Sequence, residues 1–292
     1  MAISSVCAIV LNYLGAEKTE RCLRSLIDQS LDIVYLVDNS ASQLELRALE
    51  SVIEKLKGGA DYTVNLLVNQ RNLGFAAAVN GALKVDRETT GGHEYYLLIN
   101  NDAQASPGLV QALFTRMNDD RRLALVSSAI RSTAARTCYR WYQRYMGLNL
   151  SRRWPSTFPY LSGCCLLVRR DALREDGTLF DEDFFIYGED VELCWRMMRE
   201  RRAYTCIADI AVEHEGTGSS RHGGLFYEYH IVRGHILLAR KLWRSRIEIP
   251  LLLCVKILFL LVRCMVRSFR HRSLNPAIAL LLAWFPLRMD RP

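Results

Sequence analysis

The chain has 292 residues, half of them apolar, which supplies one large core plus an appendage and excludes a disordered or fibrous polypeptide. Its net charge of +7 is unevenly placed: residues 231–292 hold 12 Lys and Arg against two acids, Glu248 and Asp290, while the first 230 hold 26 basic and 29 acidic residues. That distribution excludes a nucleic-acid-binding body and points to a membrane surface or another polyanion at the tail. Nine cysteines without C-x-x-C spacing read as reduced, buried thiols in a cytosolic setting. Val6 to Leu11 is apolar but lacks a preceding basic stretch and runs into Asn12 and Tyr13, so no signal peptide is expected.

Cys7 to Leu11 has the length and apolarity of a buried strand, ended by Asn12-Tyr13-Leu14-Gly15. The pattern then predicts a helix from about Glu17 to Gln29, a strand over Ile33 to Val37 closed by Asp38-Asn39-Ser40, and an amphipathic helix near Leu44 to Lys57. A third strand is expected near Thr63 to Val68, a polar turn at Asn69 to Phe75, an alanine-rich helix over Ala76 to Leu83, and a fourth strand over Tyr95 to Ile99 ending in Asn100-Asn101-Asp102. Strands alternating with helices imply a Rossmann-like α/β fold, mainly parallel, with a crevice outside the carboxyl ends of the strands. Polar clusters follow all four strands and so line one edge, although each alone is an ordinary turn or cap. G-x-G-x-x-G after the first strand and G-x-x-x-x-G-K-[ST] anywhere are both missing, which disfavours dinucleotide oxidoreductases and P-loop enzymes.

A helix near Pro107 to Asn118 and a strand over Leu123 to Ser127 come next. Residues 138–160 interleave seven aromatics, among them Tyr142, Trp154 and Tyr160, with arginines. Such a segment suits contact with a sugar, a diphosphate or lipid head groups, and equally a flap packed on the domain. Leu161 to Val168 reads as a central strand and Asp171 as the start of a short helix. Glu189 and Asp190 then follow an aromatic run and Gly188 and open a helix over Val191 to Arg202. Carboxylates at a helix N-terminus are favoured by the free N–H groups there, so capping alone accounts for them unless the rest of the chain supplies a site. Tyr204 to Ile207 and Ile210 to Val212 are expected as short strands before Glu213-His214-Glu215-Gly216-Thr217-Gly218-Ser219.

In this order the pieces resemble the family-2 inverting glycosyltransferases, particularly their rhamnosyltransferase-like branch. The matching stretches are Ala8 to Tyr13, Val37 to Ser40, Asn72 to Ala76, Leu98 to Asp102, Gly163 to Arg170, Phe180 to Phe185, Tyr187 to Leu193 and His214 to Ser219, covering about residues 6–220. The resemblance implies the A-type glycosyltransferase fold, a dTDP- or UDP-linked sugar donor, a divalent metal (Mg2+ or Mn2+) and inversion at the anomeric carbon. It places Asp102 as a metal ligand and His214 as a residue that completes the metal or diphosphate site; where the family often has a second acid, this chain has Asn100. Asp38 falls where the family reads the pyrimidine ring. Asn12, Asn39 and Asn101, with Arg71, Asn72, Gly74 and Phe75, belong on this reading to the donor site, and Gly163 and Trp195 to the acceptor site. Asp190 takes the role of base, with Glu189 orienting the acceptor or Asp190 itself. The chemistry is consistent: a diphosphate leaving group needs its growing charge neutralised by a hard cation, and direct inversion needs one base on the attacking hydroxyl.

Ile249 to Val266 is strongly apolar yet carries Lys256 and Arg263, and with Arg267 and Arg270 these form one basic stripe on a helix. The pattern favours an amphipathic helix lying on an anionic membrane over a spanning one; the alternative is an extension packed on the catalytic domain or on a second copy as a homo-oligomer. The expected organisation is a catalytic domain over residues 1–230 and a basic helical tail over 231–292. The expected function is sugar transfer, rhamnose included, to a lipid-linked saccharide in cell-surface polysaccharide biosynthesis, at the cytoplasmic face of the membrane as a peripheral protein. The rivals are a catalytically inactive member acting as a membrane-bound scaffold, and a nucleotidyltransferase. Retention of Asp102, Glu189, Asp190 and His214 speaks against the first, and the lack of a glycine-rich, lysine-containing loop after strand one against the second.

Overall fold

A computed structural model describes residues 6–132, 135–214, 223–285 and 287. Its first half alternates β1 (Val6–Asn12), α1 (Ala16–Ser25), β2 (Ile33–Asp38), α2 (Gln43–Leu56), β3 (Thr63–Val68), α3 (Phe75–Thr90) and β4 (Tyr95–Asn100). Strands β3, β2, β1 and β4 lie side by side and parallel, in that order. The polar residues at their ends therefore share one edge, and Asn12 is level with Asp38. Both faces of this sheet are covered, which is why β1 reads as an unbroken apolar run. Cys7 and Ile9 pack toward α3, while Val6, Ala8 and Val10 face α1 and α2.

Beyond β4 the sheet becomes mixed. A short β5 (Ala103–Ala105) leads to α4 (Leu109–Asp119), β6 (Leu123–Arg131) and β7 (Arg136–Thr137). Then come β8 (Arg140–Gln143), β9 (Asn149–Leu150), β10 (Thr157–Tyr160) and β11 (Cys165–Arg169). Strand β11 inserts antiparallel between β4 and β6. The helix α5 (Glu189–Arg199) precedes β12 (Ala203–His214), which runs parallel to β6 and pairs antiparallel with β5. The two short strands expected at 204–212 are one strand whose register shifts between Ile207 and Ala211.

The aromatic and arginine-rich segment folds as a separate antiparallel sheet, β10-β8-β9. Its period-two alternation buries Tyr142, Phe158 and Tyr160 against α5, with Phe158 and Trp195 rings 5.1 Å apart. Of the two roles open to this segment, packing on the domain is the one seen for those rings. Arg144, one of the arginines of this segment, is buried, donating to the Leu242 carbonyl and to Glu248 at 2.6 Å.

Three helices complete the chain: α6 (Leu225–Lys241), α7 (Ile249–His271) and α8 (Asn275–Leu282). The helix α6 runs without a break through residue 230 and packs Tyr229, Val232 and Ile236 against Leu260, Ala279 and Ala283 of the other two. Three of the four residues of the basic stripe of α7, Lys256, Arg263 and Arg267, face inward, contrary to a stripe turned wholly outward, while Arg270 is exposed. Lys256 is buried, and Arg263 and Arg267 reach Glu228, itself fully buried on α6, at 2.8 and 2.5 Å. Burial of that carboxylate is affordable only with cationic partners, so the α6 acid dictates which way α7 turns.

Candidate active site

Asp102 follows the end of β4, and His214 closes β12 opposite Ala103 of β5. That pairing brings His214 Nε2 to 3.1 Å from Asp102 Oδ1. Both side chains stay partly accessible, at 12% for Asp102 and 22% for His214. One carboxylate oxygen and one imidazole nitrogen at hydrogen-bond distance, reachable from solvent, form a donor set that suits a divalent cation also held by phosphate oxygens. The remainder of the motif after His214, from Glu215 to Ser220, lies outside the described residues.

A second group of ligand-type side chains, Cys7, Asp86 and His93, is buried near the opposite ends of β1 and β4. There Asp86 accepts from the His93 backbone N–H at 2.9 Å, from Tyr96 at 2.9 Å and from Tyr35 at 3.2 Å. Those bonds hold its carboxyl below the usual range despite burial, and they tie α3 to the sheet.

At the strand ends most of the polar residues brace one another. Asn12 donates to Asp38 Oδ1 at 3.2 Å and to Glu45 at 3.0 Å, and accepts from Thr19 and Asn101. Asn39 donates to Asn72 at 2.7 Å and accepts from Asn69 and from the Leu73 backbone N–H. The side chains of Asn12 and Asn39 are thus bonded to protein and fix the edge in shape, while Asn72 accepts through its Oδ1 and lines the neighbouring cleft. Asp38 differs: Ser40 and Asn12 bond its Oδ1, while its Oδ2 is buried without a protein partner. An orphaned carboxylate oxygen at a strand end is an acceptor waiting for a donor such as a pyrimidine N–H. Ser40, missed from the sequence, was legible as an Asx turn in Asp38-Asn39-Ser40.

Gly74 adopts φ +82°, and a Cβ there would stand 2.4 Å from the Phe185 carbonyl oxygen. Its close approach is thus to the loop before α5; the next residue, Phe75, donates its N–H to that same carbonyl at 2.7 Å. Arg71 is exposed beside Asn72 at the mouth of a cleft of about 570 Å3 that Lys84, Arg87 and Glu182 also line.

Glu189 and Asp190 open α5 in a pocket of about 200 Å3. Tyr142, Asn149 and Tyr160 of the small sheet form one wall, and Ile231, Gly234, His235 and Leu238 of α6 another. Gly234 is required there, since a Cβ would lie 2.5 Å from the Tyr187 carbonyl oxygen. Asp190 Oδ1 accepts the Val191 N–H at 2.8 Å, and the Gly163 N–H also donates to this carboxylate. Burial pushes the Asp190 carboxyl up against those bonds, and burial followed by the Asp190 charge pushes Glu189 up too. Both carboxyls therefore keep their protons to higher pH than solvated acids do. Glu189 Oε2 is buried without a partner, aimed into this region.

Gly163 joins the two halves. Beside it, the Cys164 carbonyl accepts the Asn100 N–H at 2.9 Å, so the segment that holds Asp190 also holds the end of β4 that carries Asp102. Trp195 stands behind the pocket, not in it: it is 4% exposed, with Arg144 4.7 Å over its ring. Its spacing on α5 turns it to the core, so it supports the small sheet and does not face the acceptor as expected.

A mixed sheet with an acidic residue after its fourth strand, a histidine brought beside it and a carboxylate pair at a nearby helix start defines a glycosyltransferase of the A-type fold. Residues 5–177 match glycosyl transferase family 2, and the chain belongs to that family. It is 28% identical over 247 residues to an N-acetylglucosaminyl-diphospho-decaprenol L-rhamnosyltransferase of Mycobacterium tuberculosis, covering 73% of this chain and 80% of that one. Among solved structures it resembles the mannosyltransferase PcManGT of Pyrobaculum calidifontis, in complex with GDP-Man and Mn2+, with a TM-score of 0.59 at 17% identity over 96% of this chain and 75% of that one. It also resembles S. aureus TarS, residues 1-349, with a TM-score of 0.58 at 14% identity over 96% of this chain and 78% of that one.

Proposed function

We propose that the protein transfers a sugar, with inversion, from a dTDP- or UDP-linked donor to a lipid-linked saccharide at the cytoplasmic face of the membrane, in cell-surface polysaccharide synthesis. The observation that supports this reading is the link through Gly163 and Cys164, which ties the Asp190 carboxylate and the end of β4 leading to Asp102 to one segment. Rhamnose as the sugar, and a diphosphate-linked N-acetylglucosamine lipid as the acceptor, are supported by the name of the mycobacterial relative.

Asp38 Oδ2 would take a hydrogen bond from the base of the nucleotide. Asp102 and His214 would hold Mg2+ or Mn2+, which neutralises the charge growing on the departing diphosphate. Asp190 accepts the proton of the acceptor hydroxyl as its oxygen bonds the anomeric carbon and the bond from that carbon to the diphosphate breaks. The Gly163 and Val191 N–H groups orient Asp190 for this step, and its raised pKa brings it closer to that of a base working near neutrality. Glu189, buried and raised further by the Asp190 charge, keeps its own proton when Asp190 is ionised. An inactive scaffold would need none of this arrangement.

The test is transfer itself. Purified protein is incubated with dTDP-rhamnose, UDP-sugars and a short-chain polyprenyl-diphospho-N-acetylglucosamine, with Mg2+ or Mn2+, and the product anomer is read by NMR. One donor giving an inverted product supports the reading. Retention of configuration, or no transfer from any donor, overturns it.

A further inference from the structure

The inward turn of the basic stripe leaves α7 with an outward face that is apolar along its whole length. Leu251, Leu258, Leu261, Met265 and Phe269 recur every three to seven residues and are exposed, Phe269 to 89% and Met265 to 65%. On α8 and just beyond its two ends the exposed residues Leu274, Ile278, Leu281 and Phe285 repeat every three or four, again pointing away from the packing on α6. An apolar face of this extent on two adjacent helices exceeds the scattered hydrophobics of an ordinary surface.

We infer that this α7 and α8 face lies in the plane of an anionic lipid bilayer, with its apolar side chains inserted and arginines at both ends meeting the head groups. The charge around the face selects that occupant. Arg244 and Arg246 are exposed just before α7, and Arg270 and Arg272 at its end. Between residues 243 and 287 the sequence has one acid, Glu248, and Arg144 pairs with it at 2.6 Å. A face flanked at both ends by exposed arginines, with Glu248 the one acid between residues 243 and 287, repels a second copy of itself and attracts acidic head groups.

Length alone does not make α7 a spanning helix. The most apolar 18 consecutive residues within 246–271 have a mean hydropathy of 2.5, and 23 residues reach about 35 Å as a helix. To span, however, α7 would have to leave α6 and carry Lys256, Arg263 and Arg267 into hydrocarbon, at roughly 2.5–3.5 kcal/mol for each near the centre. Lying in the interface keeps Glu228 paired and spends only the face that is already exposed. This inference gains its purpose from the lipid-linked acceptor of the proposed function, but its physical basis is the face itself.

The test is flotation of the full chain with vesicles of phosphatidylethanolamine and phosphatidylglycerol (3:1), comparing the native protein with the double variant Leu261→Glu/Phe269→Glu and the control Leu44→Glu. Leu44 is 82% exposed on α2, far along the chain from the tail. Native and control protein are expected to float, and the double variant to lose at least tenfold in the bound fraction. The inference is overturned if native protein stays in solution, if the double variant floats as well, or if the variant converts a native dimer into a monomer with no vesicle binding by either. Nucleotide-sugar binding by the same preparations without vesicles reports on the catalytic reading separately.

Discussion

Asp102 Oδ1 and His214 Nε2 meet at 3.1 Å although they end two strands that are not neighbours in the sheet; the short β5, pairing with β12, closes the gap. Either residue alone would be a weak anchor for a cation. Asp102→Ala and His214→Ala are each expected to weaken nucleotide-diphosphate binding in Mn2+ at least tenfold, to the level native protein shows in EDTA. Calorimetry with UDP and dTDP checks this; an undiminished gain from Mn2+ in either variant would remove that residue from the metal site.

Asp190→Asn keeps the shape of the carboxylate and loses its basicity. Transfer is expected to fall by about 10²–10⁴, the usual contribution of a general base, while donor affinity stays within about twofold. Steady-state rates alongside donor titrations separate the two effects, and a variant that loses donor binding in proportion would make Asp190 a donor-site residue.

Glu189 is raised in the folded state by burial and by the Asp190 charge. Its folded form therefore favours the proton more than its unfolded form does. The stabilisation that follows is complete below the unfolded pKa of about 4.3 and is lost as pH rises toward the folded value. Glu189→Gln cannot ionise, so its melting temperature should gain on the native value steadily between pH 4.5 and the neutral range. A difference that does not change with pH would mean that Glu189 is solvated like a surface acid.

Glu228 is fully buried between Arg263 and Arg267. Glu228→Gln leaves two arginines without their counter-charge and is expected to cost about 3 kcal/mol, loosening α7 from α6. Limited proteolysis should then cut within residues 243–248, between those helices, at a faster rate than in native protein. An unchanged cleavage rate would show that apolar packing on Leu260 and Ala279 is enough to hold the tail.

Lys256 donates to Tyr142 at 3.2 Å and to the Arg144 carbonyl at 3.3 Å, and burial pushes it down to about 7. The sign is opposite to that of Glu189. Stability held by the neutral amine is present above the unfolded pKa of about 10.4 and is lost as pH falls to about 7. Lys256→Met should accordingly be more stable than native protein by a margin that is largest at pH 7 and shrinks toward pH 10. Thermal melts at those two pH values decide it, a margin that grows with pH being the contrary result.

Much of the catalytic half was legible in the sequence because its signals are local. The apolar runs of β1, β2 and β4, each closed by a polar cluster, gave the sheet edge, and the acids after Gly188 marked the start of α5. What the sequence could not supply was the spending of polar groups. Asn12 and Asn39 give their side chains to hydrogen bonds within the protein, whereas Asp38 keeps one oxygen without a protein partner. The α6 wall of the pocket, with Gly234 and His235, also escaped notice, because the polar and apolar residues of that helix show little helical periodicity.

By itself the sequence determined the α/β class, the strand-end edge, the family's motif order and a helical tail with one basic and one apolar side, since each follows from periodicity or from neighbours along the chain. Only the tertiary structure decided which side of that tail faces out. A buried carboxylate on α6 captures the α7 arginines, because an unpaired charge in the interior costs more than leaving leucines and a phenylalanine in contact with the outside. The partner that settles this, Glu228, is remote in sequence from the stripe it turns, and such pairings appear only when the chain is folded.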